Sequence, residues 1–396
     1  MKHRIVILGA GYAGAYAAGL LARRLHRDEV EITVVNGEPD FVERMRLHQL
    51  AAGHELRRHE LTELFAGTGI RLNIAHVDAV DPRERTVTVT AGDGIDRLEY
   101  DTLVYALGST AAAHDVPGVA EHAFHVAGRP SALRLRRRLD DLEGNGTVLV
   151  VGGNLTAIEA ATELAESRPG LRVTLATSGE LGGWLGSAAS RHLWRAFDRF
   201  GIAVHEHTTV EKVEAKSAVA ADGTVFPADA TVWAAGFAVH PVAAASGLAV
   251  QENGRIRVDR MMRSVSHPDV YAAGDSAFVI GDSGRPLPMS CASAGFTAKQ
   301  AAAAILGDLT GRPVSRTALS YVGNHISLGR KDALFQLVDS DERSRPGALR
   351  GRPAAGVKAA ILAAGPWSLR HPTYGLPARR LRVAGVPDRS GERVAA

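Results

Sequence analysis

The chain is 396 residues long, which exceeds one compact core and calls for two or three domains. Hydrophobic residues make up 45% and charged residues 22%, the balance of a soluble globular protein and not of a disordered one. The formal net charge is +3, and a single cysteine, Cys291, excludes a disulfide framework and any intramolecular dithiol centre. This cysteine usage fits a reducing cytoplasm, the expected location. The scattered histidines lack the spacing of metal ligands, so no metal is expected. Met1-Lys2-His3-Arg4 runs straight into an apolar stretch without the pattern of a cleaved leader. No apolar run reaches the ~20 residues of a membrane-spanning helix.

Arg4 to Leu8 reads as a buried parallel strand. Gly9-Ala10-Gly11-Tyr12-Ala13-Gly14 follows, then an Ala/Leu-rich helix to about His26 and a strand from Glu31 to Val35. This is a strand-turn-helix-strand unit with GxGxxG at its first turn. Gly9 permits the tight turn, Gly11 clears the backbone for a pyrophosphate, and Gly14 lets helix and strand pack closely. The helix N-terminus then presents free N–H groups to the phosphates. An acid usually ends the second strand and takes the ribose hydroxyls. Asn36 stands there, and its amide can also bond a hydroxyl.

From Ile70 to Tyr100, short β-rich runs alternate with turns and feed Tyr100-Asp101-Thr102-Leu103-Val104-Tyr105-Ala106-Leu107-Gly108-Ser109. A second unit begins at Thr147–Val151, with Gly152-Gly153-Asn154-Leu155-Thr156-Ala157, a helix through Ala165 and a strand at Leu171–Ala176. Here Asn154 occupies the second glycine's place. A side chain there crowds a pyrophosphate, although Asn tolerates positive φ. Three readings stay open: NADH or NADPH binds in an adjusted pose, it binds weakly, or the fold is vestigial. Thr177 and Ser178 at the strand end do not choose between the coenzymes.

Asp269-Val270-Tyr271-Ala272-Ala273-Gly274-Asp275 is a further strand ending in glycine and aspartate, which suits ribityl hydroxyls or, alternatively, a turn. Thr297–Leu306 reads as a helix whose N-terminal end, at Thr297 and Ala298, would favour negative charge on a group lying there.

Together, GAGYAG, YDTLVYALGS, VVGGNLTAIEAATELA, TVWAAGF and VYAAGDSA with TAKQAAAAI resemble the FAD-dependent pyridine nucleotide oxidoreductase superfamily. The branch resembled is that of type II NADH:quinone oxidoreductases and apoptosis-inducing-factor-like reductases. The resemblance covers about Lys2 to Leu306. It implies an α/β fold with two Rossmann-like domains. Residues 1–112 and 245–320 form the FAD domain, interrupted by an NAD(P)H-type domain at 113–244, with a short C-terminal region at 321–396. Gly9, Gly11, Tyr12, Ala13, Gly14, Asn36, Val77, Ala106, Leu107, Gly108, Gly274, Asp275, Thr297 and Ala298 would hold FAD. Gly152, Gly153, Asn154, Leu155, Glu159, Ala235 and Gly236 would line the NADH or NADPH side. Glu159 matches an acid that lies near nicotinamide and flavin in the family; it also reads as an ordinary helix glutamate. Branches that use a cysteine pair are excluded. Cys291 reads as a buried, unreactive cysteine or, alternatively, as one lying near the flavin.

The resemblance implies hydride transfer from NAD(P)H through FAD to a quinone or another small acceptor. One alternative is an FAD-dependent oxidase or dehydrogenase acting directly on an organic substrate. A second is a flavin-bound sensor with little turnover, supported by the basic tail. From Arg343 onward that tail carries 11 Lys/Arg against 2 Asp/Glu. No nucleic-acid partner is expected and no oligomeric state is specified. Val357–Ala364 reads as one short helix giving peripheral membrane contact without a bulky aromatic face.

Overall fold

The computed structural model describes residues 1–113, 115–142, 145–339, 341 and 343–384. The tail residues Asp388, Arg389, Glu392 and Arg393 therefore lie outside the described residues.

Two five-stranded parallel sheets organise the chain. In the first, the strand order is Val270–Ala272, Thr102–Tyr105, His3–Leu8, Val30–Asn36 and Arg71–Ile74. The N-terminal strand lies at its centre, with Ile5, Ile7 and Leu8 fully buried. Apolar side chains on both faces are what a strand covered by helices on both sides requires. In the second sheet the order is Ala203–His205, Leu171–Ala176, Gly146–Val151, Ala230–Trp233 and Ala123–Phe124. Both sheets place the strand before the glycine loop in the centre. The next strand lies on one side, paired Leu8 with Val35 and Val151 with Ala176, and a later strand lies on the other. Parallel neighbours need a crossover, which the helices Tyr12–Arg24 and Leu155–Ser167 supply.

The second sheet is inserted into the first. Ser109–Ala111 leads out and pairs antiparallel with Phe237–Val239, which leads back. The first sheet is completed only afterwards, by Val270–Ala272 against Thr102–Tyr105. Helix Cys291–Thr310 then packs along Tyr12–Arg24. Both faces are rich in alanine, and Ala13, Ala17, Ala294, Ala298 and Ala301 lie in one core. This helix begins at Cys291, six residues before the start expected from the sequence.

The C-terminal region is more built than the sequence suggests. Gly323–Ser327, Ala333–Val338 and Ser344–Arg350 form an antiparallel meander, and Arg352–Arg370 is a 19-residue helix where a short segment at Val357–Ala364 was expected. Ile326, Leu328 and Leu334 of the meander join the core of the second sheet's domain. The helix passes over the first glycine loop. A Cβ on Gly365 would lie 3.0 Å from Tyr12 Cε1, and one on Gly19 would lie 3.3 Å from Pro372 Cγ. Glycines that look like helix breakers in the sequence are therefore packing gaps.

Candidate active site

The first glycine loop is set by two close approaches and one opening. Gly9 has φ +93°, and a Cβ there would lie 2.3 Å from the Ala106 carbonyl oxygen. A Cβ on Gly14 would lie 1.9 Å from the Gly9 carbonyl oxygen. On Gly11 a Cβ would meet no protein atom within 4 Å, because Gly11 faces a cleft of about 440 Å³. Tyr12, Ala13, Val77, Ala106, Leu107 and Gly108 line that cleft, as do Gly274 and Asp275. Backbone N–H groups at a helix start beside an unobstructed loop fit the pyrophosphate of a dinucleotide.

Asn36 lines the cleft and also holds its loop in place. Its Oδ1 accepts the Ala10 N–H at 2.8 Å and its Nδ2 donates to the Glu38 carbonyl at 2.7 Å. The amide thus ties the glycine loop to the strand end. Glu38, two residues later, is one of three carboxylates on the cleft wall, with Asp40 and Asp275.

Asp275 is held by neighbours that the sequence did not disclose. Ser109 Oγ donates to its Oδ2 at 2.6 Å. Arg44 donates to the Ser109 carbonyl at 2.8 Å and to Ser109 Oγ at 3.2 Å, and its guanidinium stands 3.6 Å from the Asp275 carboxylate. Arg44 also lies 5.6 Å above the Phe237 ring. Because helix Cys291–Thr310 starts early, Thr297 and Ala298 are buried at the end of its second turn and do not line the cleft. Thr297 acts from behind: its Oγ1 accepts the Gly274 N–H at 3.0 Å and donates to the Ser293 carbonyl at 2.9 Å. The helix end that reaches the cleft is Ser290, Cys291 and Ala294, with Ser290 as N-cap to the Ser293 N–H. Burial, with Asp275 nearby, pushes the Cys291 thiol up to about 12, so it stays protonated at neutral pH.

The second loop forms in the same way. Gly152 has φ +134°, and a Cβ there would lie 2.5 Å from the Ala234 carbonyl oxygen. Asn154 has φ −84° and ψ 178°, close to φ −73° and ψ −166° at Gly11, so no positive φ is demanded of it. Its side chain folds back. Oδ1 accepts the Ala157 N–H at 3.0 Å as helix N-cap, and Nδ2 donates to the Ala234 carbonyl at 2.8 Å. The crowding expected from the sequence is relieved by these two bonds. A cleft of about 340 Å³ opens beside Gly152, Gly153, Asn154, Ser178 and Ala235. Leu155 packs toward the core instead, and Gly236, with φ +149°, belongs to the returning connection. Asn154→Ala should cost about 1–2 kcal/mol through the lost cap and the unbonded carbonyl, read as a lowered unfolding midpoint.

Glu159 lines neither cleft. It is buried, and its Oε1 accepts from Lys358 Nζ at 2.7 Å and from the Ser327 N–H at 2.9 Å. Burial is the largest single influence and opposes its ionisation, but Lys358, His48 and the Ser327 N–H together outweigh it and hold the carboxyl below the usual carboxylate range. Lys358, in the C-terminal helix, also donates to the His325 carbonyl at 3.1 Å. Burial pushes His48 and His325 down to about 4, so both are neutral at pH 7. Lys358 and Ser327 form part of the wall of a third cleft, of about 570 Å³, between the C-terminal helix and the segment from Glu43 to His59.

One helical turn further on, Glu163 is buried with His54 Nε2 2.8 Å from its Oε1. Burial pushes this carboxyl up to about 7. The folded state then keeps a proton that the unfolded chain releases near pH 4.5. Stability therefore falls as pH rises from about 4.5 to 7 and stays lost above that. Glu163→Gln, which stays neutral, should gain on the order of 2 kcal/mol at pH 8.5 and almost nothing at pH 4, read from urea unfolding at both pH values.

Among the described residues no helix is long and apolar enough to cross a membrane, and no group of three His, Cys, Asp or Glu could hold a metal ion. Residues 3–298 match the family model described as pyridine nucleotide-disulphide oxidoreductase. An NADH dehydrogenase-like protein of Mycobacterium tuberculosis is 28% identical over 383 residues, covering 90% of this chain and 92% of that protein. A type II NADH:quinone oxidoreductase of Staphylococcus haemolyticus is 26% identical, covering 91% and 93%. The crystal structure of the sulfide:quinone oxidoreductase of Aquifex aeolicus shares the fold, with TM-score 0.77 and 22% identity over 98% of each chain. The family match spans both glycine loops and the returning Gly274-Asp275 segment, and the chain belongs to the pyridine nucleotide-disulphide oxidoreductase family, as an oxidoreductase.

Proposed function

We propose that this protein oxidises NADH or NADPH through FAD and delivers the electrons to a quinone or a similar small acceptor. The observation that carries the reading is the presence of three separate clefts, two at dinucleotide loops and a third beneath the C-terminal helix. The type II NADH:quinone oxidoreductase relative supports the choice of acceptor.

In this reading FAD lies along Gly9, Gly11, Tyr12, Ala13 and Gly14, with Val77, Ala106, Leu107, Gly108, Gly274 and Asp275 along the rest of the cleft. When bound, FAD supplies the centre that accepts a hydride and passes electrons on. The chain supplies position and charge. The N–H groups at the start of helix Tyr12–Arg24 face the pyrophosphate. Ser109 and Arg44 hold the Asp275 carboxylate in one orientation for the ribityl hydroxyls. Gly152, Gly153 and Asn154, with Ala235, receive the pyridine nucleotide. Glu159 and Lys358 brace the acceptor cleft from behind. The alternative of direct substrate oxidation rested on crowding by Asn154, and the folded-back side chain removes that support.

Peripheral membrane contact on the cytoplasmic side is part of the proposal. Trp367, Tyr374 and Leu376 are 46%, 57% and 70% exposed, next to Arg370, Arg379 and Arg380. These side chains lie just past Val357–Ala364 and give the bulky interfacial face that the shorter segment lacks. The test is steady-state oxidation of NADH and NADPH by FAD-loaded protein with and without a naphthoquinone. Quinone-dependent oxidation of one coenzyme is expected. Absence of turnover with both would overturn the reading.

A further inference from the structure

The third cleft is two-sided. Ala355, Ala359, Leu362, Ala363 and Pro366 recur at helical spacing along the C-terminal helix and give it an apolar wall. The facing wall carries Arg46, Arg57 and Arg330, and the helix itself adds Lys358 and Arg370, against a single carboxylate, Glu43. These cations are not equally engaged. Lys358 is held at 2.7 Å by Glu159, and Arg46 bonds Gln49 at 3.0 Å and approaches Glu43 at 3.4 Å. The guanidinium groups of Arg330 and Arg370 reach carboxylates only at 3.8 Å, although the Arg330 main-chain N–H donates to Glu166 Oε2 at 2.5 Å. Among the described residues no carboxylate lies within ion-pair distance of the exposed Arg57.

A neutral apolar acceptor would use only the helix wall and would press against guanidinium groups that favour water or an anion. A molecule with an apolar ring or chain and an anionic group would use both walls. Guanidinium forks bond carboxylate, sulfonate and phosphate oxygens, and such charge-assisted bonds are about twice as strong as neutral ones. We propose that the acceptor entering this cleft is an anionic amphiphile, its apolar body against the C-terminal helix and its negative group against Arg57 and Arg330. The inference rests on the proposed function and names the class of acceptor at that same site.

The test uses FAD-loaded full-length protein and two naphthoquinones that differ only at the end of a two-carbon side chain, one a carboxylate and one its amide. The methylenes insulate the ring, so the two potentials are alike. The carboxylate should show about tenfold higher kcat/KM at low salt, mainly through KM, and the advantage should shrink as salt rises. Arg57→Glu with Arg330→Gln should abolish or reverse the preference while the protein retains its FAD absorbance. Equal use of both quinones, or a preference unchanged in that variant, would overturn the inference and leave the proposed function standing. Reduction of neither quinone would sink both. Anionic lipid could supply the same chemistry. If the variant loses salt-sensitive binding to phosphatidylglycerol vesicles while wild type uses the two quinones equally, the cations serve the membrane and the inference fails.

Discussion

Lys358→Met should destabilise the protein by about 3–5 kcal/mol, the cost expected when one partner of a buried ion pair is removed. The side chains of Lys358 and Glu159 are only 6% and 10% exposed, and the amine is also bonded to the His325 carbonyl. Without the amine, Glu159 must remain a buried unpaired carboxylate or take up a proton at neutral pH. Adding Glu159→Gln should recover most of the loss, because the amide oxygen can still accept the Ser327 N–H and no charge is left uncompensated. Urea unfolding of wild type, both single variants and the double variant measures this. A loss below about 1 kcal/mol in Lys358→Met would place the pair in solvent. The pair joins the C-terminal helix to the helix of the second glycine loop, so the same variant should loosen the wall of the proposed acceptor cleft.

Gly11→Ala should separate folding from cofactor binding. No protein atom lies within 4 Å of the new methyl, and φ −73° is ordinary for alanine, so the unfolding midpoint of the FAD-free protein should hardly move. The methyl would project into the cleft where the pyrophosphate is proposed to lie. Overpacking of this kind costs about 1–3 kcal/mol, or roughly a 5- to 150-fold weaker FAD affinity. Gly14→Ala is the contrast. Its methyl would lie 1.9 Å from the Gly9 carbonyl oxygen, so helix and loop must part and the fold itself should suffer. FAD titration followed by flavin fluorescence, beside thermal unfolding, distinguishes the two. Equal damage to stability from both substitutions would remove Gly11 from the proposed cofactor contact.

The two sheets and their glycine loops were legible in the sequence because their signals are local. A buried strand, a turn that needs glycine and an alanine-rich helix each declare themselves within a few residues. What the sequence hid depends on distant partners. The Asn154 amide finds the Ala234 carbonyl, 80 residues away, and so folds back onto its own loop. Glu159 finds Lys358, 199 residues away, and becomes a buried brace. Asn36, read as a ribose ligand, lines the cleft and is also tied to the Ala10 N–H and the Glu38 carbonyl. The start of helix Cys291–Thr310 was missed because Ser293 and Gly295 resemble turn residues, although the Ser290 cap was a usable signal. The C-terminal helix was cut short by Gly356, Gly365 and Pro366, and Gly365 is the gap that admits Tyr12. Arg44 carried no motif; its place beside Ser109 and Asp275 exists only in the fold.

The central claim is that a reduced pyridine nucleotide, received at the Asn154 loop, delivers its hydride to FAD held at the Gly11 loop. Anaerobic stopped-flow addition of NADH, then of NADPH, to FAD-loaded protein, followed by flavin absorbance, tests it without any acceptor. Rapid bleaching by at least one coenzyme is the predicted result. Flavin that stays bound and oxidised with both would contradict the account.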